Sequence, residues 1–275
     1  MGATETEADE LGPDEVSRGV ELSSEAHWNQ TPEDWRHFTA NGYVACERDA
    51  DGRAVATGGL MTYGSVAWIG LVLVTPAMRR RGLATRLMRR CMDRARLHGA
   101  LAGLDATPDG AKVYEQLGFR AVDRLTRFRR KAPPAGLHAD AEPGDQAFER
   151  LCRLDAEAFG AERFALLSDF IARQGTRLYH SDDAAALVRP GRTARHLGPF
   201  CAHDENAAGA LLATILKQEH GPLLVDLFDR HSGLTGAFEA AGFVAERPFI
   251  RMTLGGALLP GRAQTAFAAA GPEYG

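Results

Sequence analysis

The chain has 275 residues, a formal net charge of −4, and is 45% hydrophobic and 25% charged. That length predicts one large domain or two modest ones, and the composition is that of a globular protein with ample material for a core. The balance excludes a global basic field for nucleic acid or an anionic membrane, and no apolar run approaches the roughly 18 residues of a membrane span.

The acidic N-terminus lacks a basic-then-apolar leader pattern, and residues 1–12 read as a mobile tail. The spacing predicts a short helix over 13–27. Thr31 then caps a second helix with Pro32 at its first position, stopped by Asn41-Gly42. Strands are expected at 43–48, 54–63 and 66–74, with Asp51-Gly52 as a hairpin turn. The last of these is almost wholly apolar and so central. A helix over 82–97 places Leu83, Leu87, Cys91 and Ala95 on one face, and Gly99 stops it. A strand at 101–105, a helix at 108–117 and a strand at 119–129 complete a first domain, 13–131. Ala132-Pro133-Pro134-Ala135-Gly136 is a linker by composition.

A second domain, 137–256, is expected to hold helices at 145–159, 162–174, 206–218 and 232–241. Its strands fall at 184–188, 198–203, 222–226 and 243–254. Residues 257–275 are Ala/Gly-rich and weakly specified. The two halves repeat: Tyr114-Glu-Gln-Leu-Gly118-Phe119 aligns with Phe238-Glu-Ala-Ala-Gly242-Phe243 at an offset of 124, and Arg127 and Arg251 each follow nine residues after the glycine. A repeat of domain length indicates duplication rather than a solenoid. Cys46, Cys91, Cys152 and Cys201 form no CxxC or Cys/His cluster, so no zinc or other metal site and no disulfide framework is expected. Reduced thiols fit a cytoplasmic protein.

In Val72–Thr85 a buried strand runs through a glycine turn into a helix. Unpaired N–H groups and the dipole make a helix start positive, a place for phosphate. Gly82 and Ala84 allow close backbone approach, and Arg79, Arg80 and Arg81 add charge. Read alone, the turn could equally be a solvated helix start, since residues 79–96 hold eight arginines.

Arg79-x-x-Gly82-x-Ala84 after Val74 and Pro76, with Tyr114 four residues before Gly118-Phe119, resembles the GNAT superfamily of N-acetyltransferases over roughly residues 28–130. Trp28-Asn29-Gln30, Trp68-Ile69-Gly70-Leu71-Val72, Leu104-Asp105-Ala106-Thr107-Pro108 and Arg247–Met252 resemble a two-domain bacterial subgroup, which extends the likeness over most of the chain. The resemblance implies an α/β fold of two tandem GNAT-like domains, each a mixed, mostly antiparallel sheet flanked by helices. It implies acetyl-CoA as co-substrate, with Leu73 and Val74 on the pantetheine arm. Arg79, Arg80, Arg81, Gly82, Leu83, Ala84 and Thr85 would cradle the diphosphate. Thr107 stands where many members have an Asn contact to CoA.

Tyr114 would protonate the leaving thiolate; a phenol, with an ordinary pKa of about 10, suits that task. Its alternative is a packed helix aromatic. Asp105 is the preferred base for the attacking amine, with Glu47 as second candidate; Asp105 could instead cap the following turn. Trp28 and Asn29 fall on the acceptor side, where Trp28 either stacks on substrate or packs in the core.

In the second half Phe238 replaces Tyr114, and the turn 202–208 carries Asp204 and Glu205 in place of arginines. That copy is therefore expected to be degenerate, free to shape the acceptor pocket, to form a homodimer or simply to stabilise the first half. Asp226, Asp229 and His231 read as a solvated loop or as contacts to a cationic amine. The expected activity is transfer of acetyl to a small-molecule primary amine, with no nucleic-acid or membrane partner. The alternatives are a CoA-binding sensor without turnover and a protein or peptide N-acetyltransferase.

Overall fold

The computed structural model describes residues 9–131 and 144–275 and divides into two compact units, Met1–Ala102 and Gly103–Gly275. The expected linker at 132–136 lies outside the described residues.

The first unit is a three-stranded antiparallel meander with helices against it. Strands β1 (Tyr43–Arg48), β2 (Ala54–Tyr63) and β3 (Val66–Val74) pair in sequence order. Helices α1 (Val16–Glu25), α2 (Pro32–Asn41) and α3 (Leu83–Leu97) complete it. Thr31 caps α2 as expected: its hydroxyl accepts from the Asp34 N–H while the Asp34 carboxylate accepts from the Thr31 N–H.

Adjacent glycines in β2 set the approach of two helices. A Cβ at Gly58 would meet Leu87 of α3 at 3.1 Å, and one at Gly59 would meet the Phe38 ring of α2 at 2.9 Å. Larger residues there would push α3 and α2 off the sheet. Residues 9–12 are not a mobile tail. Cys46 N–H donates to Asp9 O, Leu11 N–H donates to Val44 O, and Leu11 is buried. One apolar side chain and an unfilled edge of β1 are enough to recruit them.

The second unit holds β4 (Leu101–Ala106) from Gly103 on, α4 (Pro108–Gln116), β5 (Phe119–Arg130), α5 (Asp145–Phe159), α6 (Phe164–Ala172), β6 (Arg177–His180), β7 (Ala184–Arg189), β8 (Arg195–Ala202), α7 (Glu205–Gln218), β9 (Leu223–Phe228), α8 (Ser232–Ala240), β10 (Phe243–Leu254) and β11 (Ala266–Ala268). Its strands run β4-β10-β5-β9-β11-β8-β7-β6.

The order exchanges the last strands of the two sequence repeats. β5, from the first repeat, lies against β9 of the second, while β10, from the second, lies against β4 of the first. Each exchange carries a buried ion pair. Arg127 Nε and Nη2 bind the two oxygens of Asp226 at 2.7 and 2.8 Å. Arg251 Nε and Nη2 bind those of Asp105 at 2.9 and 2.8 Å. The repeated arginines thus hold equivalent aspartates in opposite repeats.

β8 and β9 run parallel from Arg195/Leu223 to Leu197/Val225 and then part. β11 fills the fork, paired to Phe200 and Cys201 on one side and Leu227 on the other. The tail read as weakly specified is core from Thr265 onward: Phe267, Ala270 and Tyr274 are fully buried. Polar side chains hold its carbonyls. Arg189 Nη2 donates to Ala270 O at 2.6 Å, and Arg163 Nη1 donates to Tyr274 O and Gly275 O. A Cβ at Gly198 would stand 2.0 Å from Ala269 O, so glycine there admits the segment. An Ala-rich strand with no charge of its own shows no alternating pattern, which is why the sequence conceals it.

His196 sits beneath this segment. Its Nδ1 accepts from Arg189, and its Nε2 is 3.2 Å from Asp226 Oδ2 without hydrogen-bond alignment. Burial and then Arg189 lower its pKa to about 4, against the pull of Asp226. Between about 4 and the ordinary 6.5 the unfolded chain binds the proton and the folded one does not. Stability therefore falls as pH drops through that window, by up to about 3 kcal/mol from this group. Urea unfolding across the window should show a slope steeper by one proton for wild type than for His196→Asn, whose Oδ1 can still accept from Arg189. Equal slopes would mean that His196 is not the titrating group.

Candidate active site

In the first unit the chain leaves β3 through Thr75 and a short 3-10 turn, Pro76–Met78, and enters α3 at Gly82. Arg80 (φ 61°) and Gly82 (φ 75°) are both left-handed, which reverses the chain between strand and helix. No side chain caps α3. The first N–H groups of a 15-residue helix are thus left without an internal acceptor, at the positive end of its dipole. Only Arg86 Nη1, at 3.9 Å, comes within reach of a Cβ built at Gly82.

Arg79, Arg80 and Arg81 are exposed beside this opening, and Leu83 is buried, anchoring the helix to the unit. Arg79 Nε donates to Val74 O at 3.2 Å, tying the turn to the end of β3. Within β3, Leu71 is also left-handed (φ 51°), and Thr57 Oγ1 donates to its carbonyl. The strand bulges there, two residues before Leu73 and Val74. Sequence pattern alone gave no sign of this bulge.

The corresponding turn of the second repeat differs in one decisive way. Asp204 caps α7, its carboxylate accepting the Ala207 N–H at 2.9 Å. An anion made by the chain already stands where α3 leaves its helix start open.

In the second unit, Tyr114 lies half-buried on α4, its ring 6.4 Å from that of Phe119. A Cβ at Gly110, one turn earlier, would meet Tyr114 Cε2 at 3.2 Å. Gly110 therefore gives the phenol room to lie back over the first turn of its helix, a role the sequence reading missed. Thr107 caps this helix, its Oγ1 accepting the Gly110 N–H at 3.2 Å. That gives it a structural task at the start of the helix. Phe238 of the second repeat is wholly buried and edge-on to Phe243 at 5.1 Å, with no polar end to offer.

The proposed bases are both occupied. Asp105 is bound at both oxygens by Arg251 and its side chain is 1% exposed, so it anchors the exchanged strand; burial raises its pKa, and Arg251 offsets that only in part. Glu47 accepts from Arg86 Nε and Nη2 and faces Arg90 at 3.3 Å. Asp226 is likewise no loop residue, being fully buried on Arg127. His231 is buried and stacked on Phe267.

Burial pushes the Cys91 thiol up to about 12 and those of Cys46 and Cys152 to about 11, and Cys201 is raised as well. None is a thiolate at neutral pH, so no cysteine nucleophile is on offer. Trp35 is fully buried, donating to Ser23 Oγ at 3.0 Å, while Trp28 is half-buried and Asn29 buried in the loop before α2. Among the described residues no group of three or more metal-ligating side chains occurs, and no helix is long and apolar enough to cross a membrane.

Two family models match the chain: an acetyltransferase (GNAT) family over residues 11–119 and an acetyltransferase (GNAT) domain over residues 151–268. No curated protein matches it significantly. Among solved structures, it is similar to a provisionally assigned acetyltransferase from Pyrococcus horikoshii, with TM-score 0.80, 18% identity, and coverage of 100% of this chain and 98% of that one. It is also similar to a tandem GNAT protein from the clavulanic acid biosynthesis pathway, with TM-score 0.64, 16% identity, and coverage of 90% and 97%. A GCN5-related N-acetyltransferase from Sphaerobacter thermophilus gives TM-score 0.60, 16% identity, and coverage of 90% and 94%. At these identities the structures speak to fold, and the matched models to family.

Proposed function

The chain belongs to the GNAT superfamily of acyltransferases and carries two domains of that type, and on that premise we propose that it transfers the acetyl group of acetyl-CoA directly to a primary amine of a small molecule. The observation that carries the reading is the uncapped, glycine-entered start of α3 beside three exposed arginines. Its chemistry fits a diphosphate: unfilled N–H donors, a positive dipole end and exposed cations, with no side chain capping the helix. Asp204 at the equivalent helix of the second repeat supports one donor site per chain rather than two.

In this reading Arg79–Thr85 hold the diphosphate, Leu73 and Val74 align the pantetheine arm, and Tyr114 supplies the proton to the departing thiolate. No covalent intermediate is required, in keeping with four thiols held protonated. With Asp105 and Glu47 both in ion pairs, the acceptor's proton leaves to water, so the rate should rise with pH until the amine is neutral.

Tyr114→Phe removes one oxygen from a half-buried side chain and keeps the ring. It should lower kcat for thiol release about a hundredfold, the low end of general acid catalysis, with CoA affinity unchanged. The assay is free thiol released from acetyl-CoA over a panel of amines that includes peptides with free N-termini. Equal turnover by the variant would remove Tyr114 from the mechanism, and wild-type CoA binding with no thiol release on any amine would favour a sensor. Preference for the peptides would move the acceptor class to proteins.

A further inference from the structure

The second unit contains a cavity of about 220 Å³ that the proposed chemistry does not use. Its walls come from the end of α5, the strap 258–264, β8, β11 and the two exchanged strands. Phe159, Phe228, Leu258 and Leu259 supply apolar surface, and Arg230 and Arg251 supply charge. Both guanidinium carbons lie over the Phe228 ring, at 4.0 and 4.6 Å.

The hydrogen-bonding account of this cavity is one-sided. Its carboxylates are spent: Asp155 is bound at both oxygens by Arg163, and Asp123 accepts from Arg230 and from the Arg124 N–H. Gly275 O accepts from Arg163 and from the Ala270 N–H. Donors are in surplus. A guanidinium has five N–H bonds; Arg230 uses Nη1 on Asp123 and Nη2 on Ala266 O, and its buried Nε has no partner. Burial, and then Arg251, bring the Arg230 pKa down to about 10.

We propose that this cavity is a binding site for a small organic carboxylate, its charge on Arg230 and its apolar body against Phe159, Phe228 and Leu259. At 220 Å³ the cavity is smaller than the roughly 300–1,000 Å³ of sites for drug-sized molecules, so the ligand is of single-ring or short-chain size. The proposal does not depend on the proposed diphosphate site, whose residues Arg79–Thr85 belong to the other unit.

The test is calorimetric titration of the full chain with benzoate, with benzamide as its neutral counterpart. Benzoate should saturate below about 10 mM, and benzamide should bind at least about tenfold more weakly, as expected where charge decides. Arg230→Gln removes the cation, and Leu259→Trp takes up cavity space while replacing no charged residue; each should weaken benzoate by about tenfold or more. Gly82→Glu should bind benzoate as wild type does. No saturation by benzoate, equal affinity for benzamide, or unchanged affinity in Leu259→Trp overturns the proposal. The last of these decides the matter even if Arg230→Gln does not fold.

Discussion

Gly82→Glu is expected to weaken CoA binding by about a hundredfold or more, some 2.7 kcal/mol on the affinity scale. Two effects add. The carboxylate would stand at the positive end of α3, where the donor's diphosphate is proposed to sit, and like charges at that distance repel strongly in a partly desolvated turn. The side chain would also fill space now open above the helix start, where only Arg86 Nη1 comes within 4 Å of an added Cβ. Gly82 is left-handed (φ 75°), so any side chain adds strain. Gly82→Asn serves as the control, because Asn tolerates that conformation and carries no charge. Direct titration with CoA should rank wild type, then Asn, then Glu. Wild-type affinity in the Glu variant would place the donor elsewhere.

How far the sequence foretold this turn depends on what kind of information each residue carried. β1, β2, β3, α5 and β10 match their expected limits. Alternating or apolar runs bounded by Gly, Pro and Asn state both type and ends. The entry to α3 was legible for the same reason, since Gly82 and the arginines are local. The strand exchange was not. Pairing partners for β5 and β10 are chosen among strands that look alike, and no local pattern says which one wins. The clue was Arg127 and Arg251 at matching places in the repeat, visible but without named partners. The same blindness led to Asp105 as a base. Nothing in Leu104-Asp105-Ala106 reveals that Arg251, distant in the chain, takes both of its oxygens. β11 was hidden differently, its burial coming from a fork between β8 and β9 rather than from its own composition.

That pairing logic makes Asp226→Asn the most destabilising single substitution expected in the second unit. Arg127 and Asp226 are 7% and 0% exposed as side chains, so the change leaves a buried cation without its anion. Breaking such a pair costs roughly 3–5 kcal/mol. The wild-type carboxylate pKa sits far below its usual range: burial pushes it up, but Arg127 and His196 more than offset that. Asp105→Asn, at the equivalent pair, should cost less, because the Asp226 carboxylate also faces His196. Arg127→Met with Asp226→Leu should recover much of the loss, since a well-packed apolar pair often matches a buried ionic one in stability. Chemical unfolding of the three variants measures this directly. If Asp226→Asn lost no more than the roughly 0.5 kcal/mol of an ordinary surface change, the Arg127–Asp226 pair would not be what holds the exchanged β5 in place. If the double variant stayed as unstable as Asp226→Asn, the pair would be doing something that packing cannot replace, which is to fix which strand of one repeat pairs with which strand of the other.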